Sequence, residues 1–129
     1  MSLLSSPLAP AGRPEAGAVI TKAVIRAADA LGVTARLLAE VIGVSEASVS
    51  RMRKADYTLD AGSKPFELAV LFVRLFRALD AIVGGDAAAA RAWMQAENTA
   101  LGGIPAQRIR TISGLVDVIA YLDARRARV

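Results

Sequence analysis

The sequence predicts an all-α protein, with an N-terminal helix-turn-helix module followed by a long apolar helix and a C-terminal helical module. Three observations support this. Apolar residues recur every three or four positions in several segments, and glycines and capping residues separate those segments. No stretch alternates apolar and polar residues as a half-buried strand would. The chain of 129 residues is long enough for one domain or two small ones.

The N-terminal segment is expected to be a mobile tail, followed by the first helix. Residues 1–15 hold three of the five prolines together with several serines. From about Ala16, apolar residues at helical spacing predict a helix that ends at Gly32. Lys22 and Arg26 share its opposite face, where they either contact phosphate or are simply solvated. Residues 16–62 are therefore expected to form the helix-turn-helix domain.

Residues 34–54 have the spacing of two short helices that cross steeply. Ala39 is small where the helices approach each other, Gly43 suits the positive φ of the turn, and Val49 fills the angle. Ser45 is positioned to cap the second helix. An ordinary pair of packed helices with no nucleic-acid partner is the alternative interpretation.

The second of these helices is expected to enter a DNA major groove. Its hydroxyl and guanidinium groups suit base edges and phosphates, and Ala47 is small enough for close approach. Ser48, Arg51 and Lys54 are spaced by three residues, so we expect them to face the groove together. The predicted DNA-binding residues are Ser45, Ser48, Ser50, Arg51, Arg53 and Lys54.

Composition excludes several functions. The net charge of +4 and the pI near 10.1 permit an anionic partner without proving one. The absence of cysteine and histidine removes thiolate chemistry, the usual proton shuttle and the commonest metal ligands. We therefore expect no catalytic residues, no metal and no cofactor. No secretory signal is visible, which favours a cytoplasmic location.

A long helix is predicted over residues 64–83, with Ser63 as its cap and two glycines after its end. Its four charged residues fall within an arc of roughly 140°, so the remaining surface is apolar. We expect this surface to form a homodimer; the alternative is the central core helix of a monomer. Four charges argue against a membrane span. The predicted dimer residues are Phe66, Phe72, Val73 and Phe76.

Two further helices are predicted in the C-terminal part. Asp86 is expected to cap a helix that runs through the alanine-rich segment to about residue 100, with Trp93 in the core. A corner containing two glycines follows. Ser113 is then expected to cap the last helix, whose apolar stripe ends at Leu122.

Several short sequence motifs follow the helix-turn-helix. They are Ala92-Trp93-Met94, Glu97-Asn98, Leu101-Gly102-Gly103, Ile104-Pro105, Gly114-Leu115, Val118 and Tyr121-Leu122-Asp123-Ala124. In this arrangement the chain resembles bacterial Xre-type antitoxins paired with RES-domain toxins, and the related MbcA/ParS antitoxins. The resemblance covers residues 16–129.

The resemblance implies an antitoxin of a type II toxin-antitoxin system. Its N-terminal module would repress its own operon by binding operator DNA, and its C-terminal module would cover the active site of a NAD-consuming RES-domain toxin. Residues 63–129 would hold the dimerisation helix and the toxin-binding domain. An arginine-rich tail is expected to follow the last helix. It either pairs with an acidic partner surface or complements the helix dipole as a solvated end. The predicted toxin-binding residues are Leu122, Arg125, Arg126 and Arg128.

One segment departs from the family pattern. The family often has an acidic residue shortly after the Gly-Gly-x-Pro corner, whereas this chain has Gln107, Arg108 and Arg110. Contacts around that corner are therefore not carried over. The alternative to the antitoxin interpretation is a stand-alone transcriptional regulator whose C-terminal part binds a small ligand or forms a dimer.

Overall fold

The computed structural model describes residues 8–127, and over this range the chain is α-helical with no β-strand. The predicted all-α fold is confirmed. The helices are α1 (Leu8–Leu31), α2 (Ala35–Ile42), α3 (Glu46–Arg53), α4 (Lys64–Ile82), α5 (Ala87–Gln95), α6 (Pro105–Arg108) and α7 (Ile112–Ala127), with a 3₁₀ turn at Thr99–Leu101. No helix in this range is long and apolar enough to cross a membrane.

The first helix is longer than expected. It begins at Leu8 rather than near Ala16, so the predicted start of the helix is wrong. The mobility predicted for residues 1–15 stays a prediction, and residues 1–7 lie outside the described part of the chain. The alanines in this segment are good helix formers. Pro10 falls in the first turn. Backbone N–H groups there make no intrahelical hydrogen bond, so a proline, which lacks the N–H, is tolerated.

The centre of the molecule is α4, which packs between α1 and α7 and also contacts α2. Phe72 is 0% exposed, so it belongs to the core of the single chain. The prediction that Phe72 forms a dimer surface is wrong, because the helices packed on α4 leave its side chain no exposed surface. Phe66, Val73 and Phe76 are partly buried against the same core, and their role in a dimer stays a prediction.

The connector between α3 and α4 is fastened to α1. Thr21, which is buried, donates a hydrogen bond to the Gly17 carbonyl oxygen at 2.7 Å and accepts one from the Leu59 backbone N–H at 2.9 Å. A Cβ at Gly17 would collide with the Leu59 carbonyl oxygen. Glycine at this position therefore allows the connector to lie directly against the helix.

The ends of α4 and the start of α5 follow the prediction. The Ser63 hydroxyl accepts from the Phe66 N–H at 3.3 Å, and the Asp86 carboxylate accepts from the Ala89 N–H at 3.1 Å. However, α5 ends at Gln95 rather than near residue 100. Asn98 explains the difference, because its side chain accepts from the Leu101 N–H at 3.2 Å and caps the 3₁₀ turn.

The last helix is capped by Thr111 and not by Ser113. The Thr111 hydroxyl accepts from the Gly114 N–H at 3.1 Å, so the cap is two residues earlier than predicted. Gly114 is buried, and a Cβ there would collide with the Arg108 carbonyl oxygen. The small residue lets the start of α7 pack closely against the end of α6.

Candidate nucleic-acid interface and C-terminal surface

The crossing of α2 and α3 has the geometry of a helix-turn-helix. Gly43 ends α2 with a φ of 78°, and the N–H groups of Gly43 and Val44 both donate to the Ala39 carbonyl oxygen, at 2.9 and 3.1 Å. Val49 is completely buried in the angle. The predicted roles of Ala39, Gly43 and Val49 in this motif are therefore confirmed.

The start of α3 uses its serines to build the turn. The Ser45 hydroxyl accepts from the Ser48 N–H at 3.0 Å and donates to the Ser48 hydroxyl oxygen, also at 3.0 Å. Ser48 is only 8% exposed and lies on the same side of the helix as Val49 and Met52. The prediction that Ser48 faces a groove together with Arg51 and Lys54 is wrong, because that side of α3 packs on the core.

The exposed side of α3 is centred on small and basic residues. At 100° per residue, Ala47, Ser50 and Lys54 lie opposite the buried side, and all three are exposed. Arg51 lies at the edge, where its guanidinium donates to the Ser48 hydroxyl at 3.3 Å and sits 5.8 Å from the centre of the Tyr57 ring. These contacts orient Arg51 beside the exposed side of α3.

Arg53 points away from this surface towards α1. Its guanidinium pairs with the Asp29 carboxylate at 3.0 Å, and this hydrogen bond raises the pKa of Arg53 above its usual value. A pocket with a volume of about 430 Å³ lies beside the pair and is lined in part by Lys22, Arg26 and Tyr57. Basic side chains of α1 thus lie next to the C-terminal end of α3.

In the C-terminal module, an aromatic stack joins α5 to α7. The rings of Trp93 and Tyr121 are 6.3 Å apart between centroids and inclined by 21°. Arg125 donates to the Tyr121 hydroxyl at 3.1 Å, and its guanidinium lies 5.8 Å from the centre of that ring. Trp93 packs against the core but is only partly buried.

The predicted toxin-binding residues separate in the structure. Leu122 is 1% exposed, so the prediction that it contacts a partner is wrong; its apolar side chain packs in the core. Arg125 and Arg126 are exposed and diverge, with Arg125 over Tyr121 and Arg126 on the side facing α4. Arg128 lies outside the described residues.

Sequence reasoning missed a basic cleft between α4 and α7. It has a volume of about 410 Å³, and Arg74 on one wall pairs with Asp123 on the other at 3.0 Å. The only signal in the sequence is the pair of arginines three residues apart on α4, which belong to the charged arc predicted for this helix. The residues that line the cleft are Arg74, Arg77, Asp80, Ala81, Asp123 and Arg126.

The residues that depart from the family pattern hold the corner in place. Arg108 donates to the Leu101 carbonyl oxygen at 2.9 Å and to the Asp117 carboxylate at 2.9 Å. Arg110 donates to the Glu40 carboxylate at 3.2 Å, which connects the corner to α2. Both arginines therefore make structural contacts within the chain.

The described residues offer no constellation for a metal ion, since no group of three or more carboxylate, histidine or cysteine side chains converges in residues 8–127. The carboxylates of Asp29, Glu40, Asp86, Asp117 and Asp123 are used in ion pairs or a helix cap, whereas Asp80 lines the cleft between α4 and α7. The two surfaces present guanidinium, hydroxyl and apolar groups.

Comparison with known protein families gives two matches that together span most of the chain. Residues 10–74 match the family described as the antitoxin Xre-like helix-turn-helix domain. Residues 78–128 match the antitoxin Xre/MbcA/ParS C-terminal toxin-binding domain. The two matches meet inside α4, so this helix contributes to both modules. No curated protein matches the chain.

Proposed function

Because the chain belongs to the Xre-like antitoxin family, we propose that it neutralises a NAD-consuming RES-domain toxin and represses its own operon by binding operator DNA. The antitoxin assignment rests on the joint match to a helix-turn-helix domain and a toxin-binding domain in one chain. The RES class of toxin is supported by the resemblance of the short sequence motifs in the C-terminal module to those of antitoxins paired with RES-domain toxins. Both proposed partners are inside the cell, so the cytoplasm is the proposed site of action.

The proposed DNA contacts come from the exposed side of α3. Arg51 is held at its edge by Ser48 and Tyr57, which reduces the entropy that a base contact would cost. Lys54 and Ser50 lie on the same exposed side and are assigned to phosphates and base edges. Ser45 caps the helix. Arg53 pairs with Asp29, and we propose that this ion pair positions α3 against α1.

The proposed toxin contacts come from the C-terminal module. Exposed arginines at the end of α7 would pair with acidic groups around the toxin's active-site entrance, and the helix would deliver them as a rigid element. Arg125 and Arg126 carry this role among the described residues. By covering the entrance, the antitoxin would prevent NAD from reaching the toxin.

We also propose that the antitoxin binds its operator as a homodimer. Symmetric helix-turn-helix dimers contact two half-sites one helical turn apart, which multiplies a modest affinity per subunit. Phe66, Val73 and Phe76 are partly buried and still offer apolar surface. Sedimentation equilibrium at tens of micromolar tests this part: a monomer that shows no association would contradict it.

The first experiment is co-expression with the protein encoded by the neighbouring reading frame. A stable complex that also retards the DNA upstream of the two genes would support both parts of the proposal. A stand-alone regulator would instead bind the DNA and leave the neighbouring protein free. The charged lining of the cleft between α4 and α7 disfavours an apolar ligand for such a regulator.

A further inference from the structure

The outer face of α7, defined here as Ile112, Val116 and Ala120, is apolar and uncovered. Ile112 is 58% exposed and Val116 is 48% exposed, and Ala120 is exposed as well. Spacing by four residues places the three within an arc of roughly 80°. Branched apolar residues repeated on one exposed helix face indicate a surface that another protein covers.

This face is continuous with the basic cleft between α4 and α7. Asp123 is seven residues after Val116, hence two turns further along the same side of the helix, and it lines the cleft. Arg126 follows three residues later and lines the cleft too. A partner lying along α7 would therefore meet apolar side chains first and guanidinium groups next.

The charges along this surface call for an acidic partner. The two carboxylates beside the face are already engaged, Asp117 with Arg108 at 2.9 Å and Asp123 with Arg74 at 3.0 Å. Within residues 8–127, Arg77 and Arg126 have no carboxylate at ion-pair distance, although Asp80 lines the same cleft. The surface thus has an excess of positive charge.

A second copy of this chain would bring the same excess of positive charge to the contact. Like charges brought together in an interface are unfavourable, so a symmetric contact through this surface would have to leave the arginines unpaired. A different protein with an apolar ridge beside acidic groups would complement both the apolar face of α7 and the basic cleft. The surface also lies mainly in the segment that matches a toxin-binding domain.

We propose that the outer face of α7 and the basic cleft beside it form one docking surface for the toxin. On this account, Ile112 and Val116 fill an apolar depression of the toxin, and Arg77 and Arg126 pair with acidic side chains at its rim. The inference rests on the proposed antitoxin function. It adds that binding depends on the middle of α7 and on α4, besides the arginines at the chain end.

The test is the dissociation constant of the purified chain for the protein encoded by the neighbouring reading frame, the proposed toxin. Val116→Glu should weaken binding by about 30-fold or more, as expected when a charge enters an interface hot spot. The matched control is Val19→Glu, which adds the same charge to a residue of α1 that is 63% exposed. The control should bind like the parent chain.

A second pair of variants tests the cleft. Arg77→Glu should slow association about tenfold at low salt, with the effect shrinking as salt is added, because the charge acts by steering. The control is Lys64→Glu, an exposed reversal on the same helix. Helical circular dichroism and operator binding establish that each variant is folded.

The outcomes separate this inference from the function on which it rests. If the parent chain does not bind the neighbouring protein, the proposed function fails and the docking surface with it. If the parent chain binds and Val116→Glu binds equally well, or no worse than Val19→Glu, the docking surface is wrong while the antitoxin function stands. If Val116→Glu disrupts only self-association of the chain, the face is a contact between copies and the inference is overturned.

Discussion

The hydroxyl oxygen of Thr21 accepts the backbone N–H of Leu59 at 2.9 Å, across 38 positions of the chain. The same hydroxyl donates to the Gly17 carbonyl oxygen, so one buried side chain serves both α1 and the connector that follows α3. The connector leads directly into α4. This contact therefore fastens to α1 the connector that links the helix-turn-helix to α4.

Replacing Thr21 by valine, which has the same shape, should destabilise the protein. The Leu59 N–H would lose its acceptor in a buried position, which costs about 1 to 3 kcal/mol. Thermal or urea unfolding measures the change. The control is Thr99→Val, at an exposed position, and equal stability of the two variants would show that the Thr21 contact contributes nothing.

Gly114→Ala should also destabilise the chain, although alanine is the better helix former by about 1 kcal/mol. The added Cβ would collide with the Arg108 carbonyl oxygen, a backbone atom that cannot rotate away. Forcing α6 and α7 apart should cost about 1 to 3 kcal/mol in the free energy of unfolding.

Gly62→Ala is the matched control for this prediction, because a Cβ there meets no atom within 4 Å. Urea unfolding should place Gly62→Ala at or slightly above the parent chain and Gly114→Ala clearly below it. If the two variants had the same midpoint, the close approach of α6 and α7 would not be the reason for the glycine.

The local features of the motif could be predicted from the sequence because each depends on near neighbours. A glycine with positive φ, a serine cap and a small residue at a helix crossing act within four or five positions, as Gly43, Ser45 and Ala39 do here. The caps Ser63 and Asp86 were predictable for the same reason.

The errors in the predicted site residues concern which side of a helix is covered, and this depends on distant parts of the chain. Phe72 was assigned to a dimer surface because one neighbouring helix could not cover α4, whereas α1 and α7 pack on it from two sides. Leu122 was assigned to a partner contact because the stripe ended there, but the core reaches that far. Ser48 was assigned by spacing alone, which does not distinguish the two sides of a short helix.

Operator binding should depend on Arg51 and Lys54 in different ways. Arg51→Ala should cost about 1 to 3 kcal/mol and relax sequence preference, if the oriented guanidinium contacts a base. Lys54→Ala should weaken binding to all sequences and reduce the slope of log affinity against log salt by about one. Titrations at several salt concentrations separate the two effects.

The control for DNA binding is Lys64→Ala, at an exposed position after the connector. Its affinity and salt slope should equal those of the parent chain. The assignment of α3 to the major groove would be contradicted if both Arg51→Ala and Lys54→Ala bound the operator as tightly as this control.

Deleting residues 125–129 should impair toxin neutralisation while leaving the fold and operator binding intact. The deletion keeps Leu122 in the core and the Asp123 carboxylate paired with Arg74, so α7 retains its main contacts. It removes the arginines proposed to cover the toxin's active site. A shortened chain that protects cells as well as the full chain would move the blocking role to the middle of α7.

The most direct measurement uses the purified protein encoded by the neighbouring reading frame, which we propose to be a RES-domain toxin. The rate of NAD loss in its presence is followed while this chain is added in increasing amounts. We expect the rate to fall to background when the chain reaches an amount equivalent to the toxin, and to stay high with an equal amount of Val116→Glu. NAD loss that continues unchanged in the presence of excess parent chain would contradict the antitoxin function proposed here.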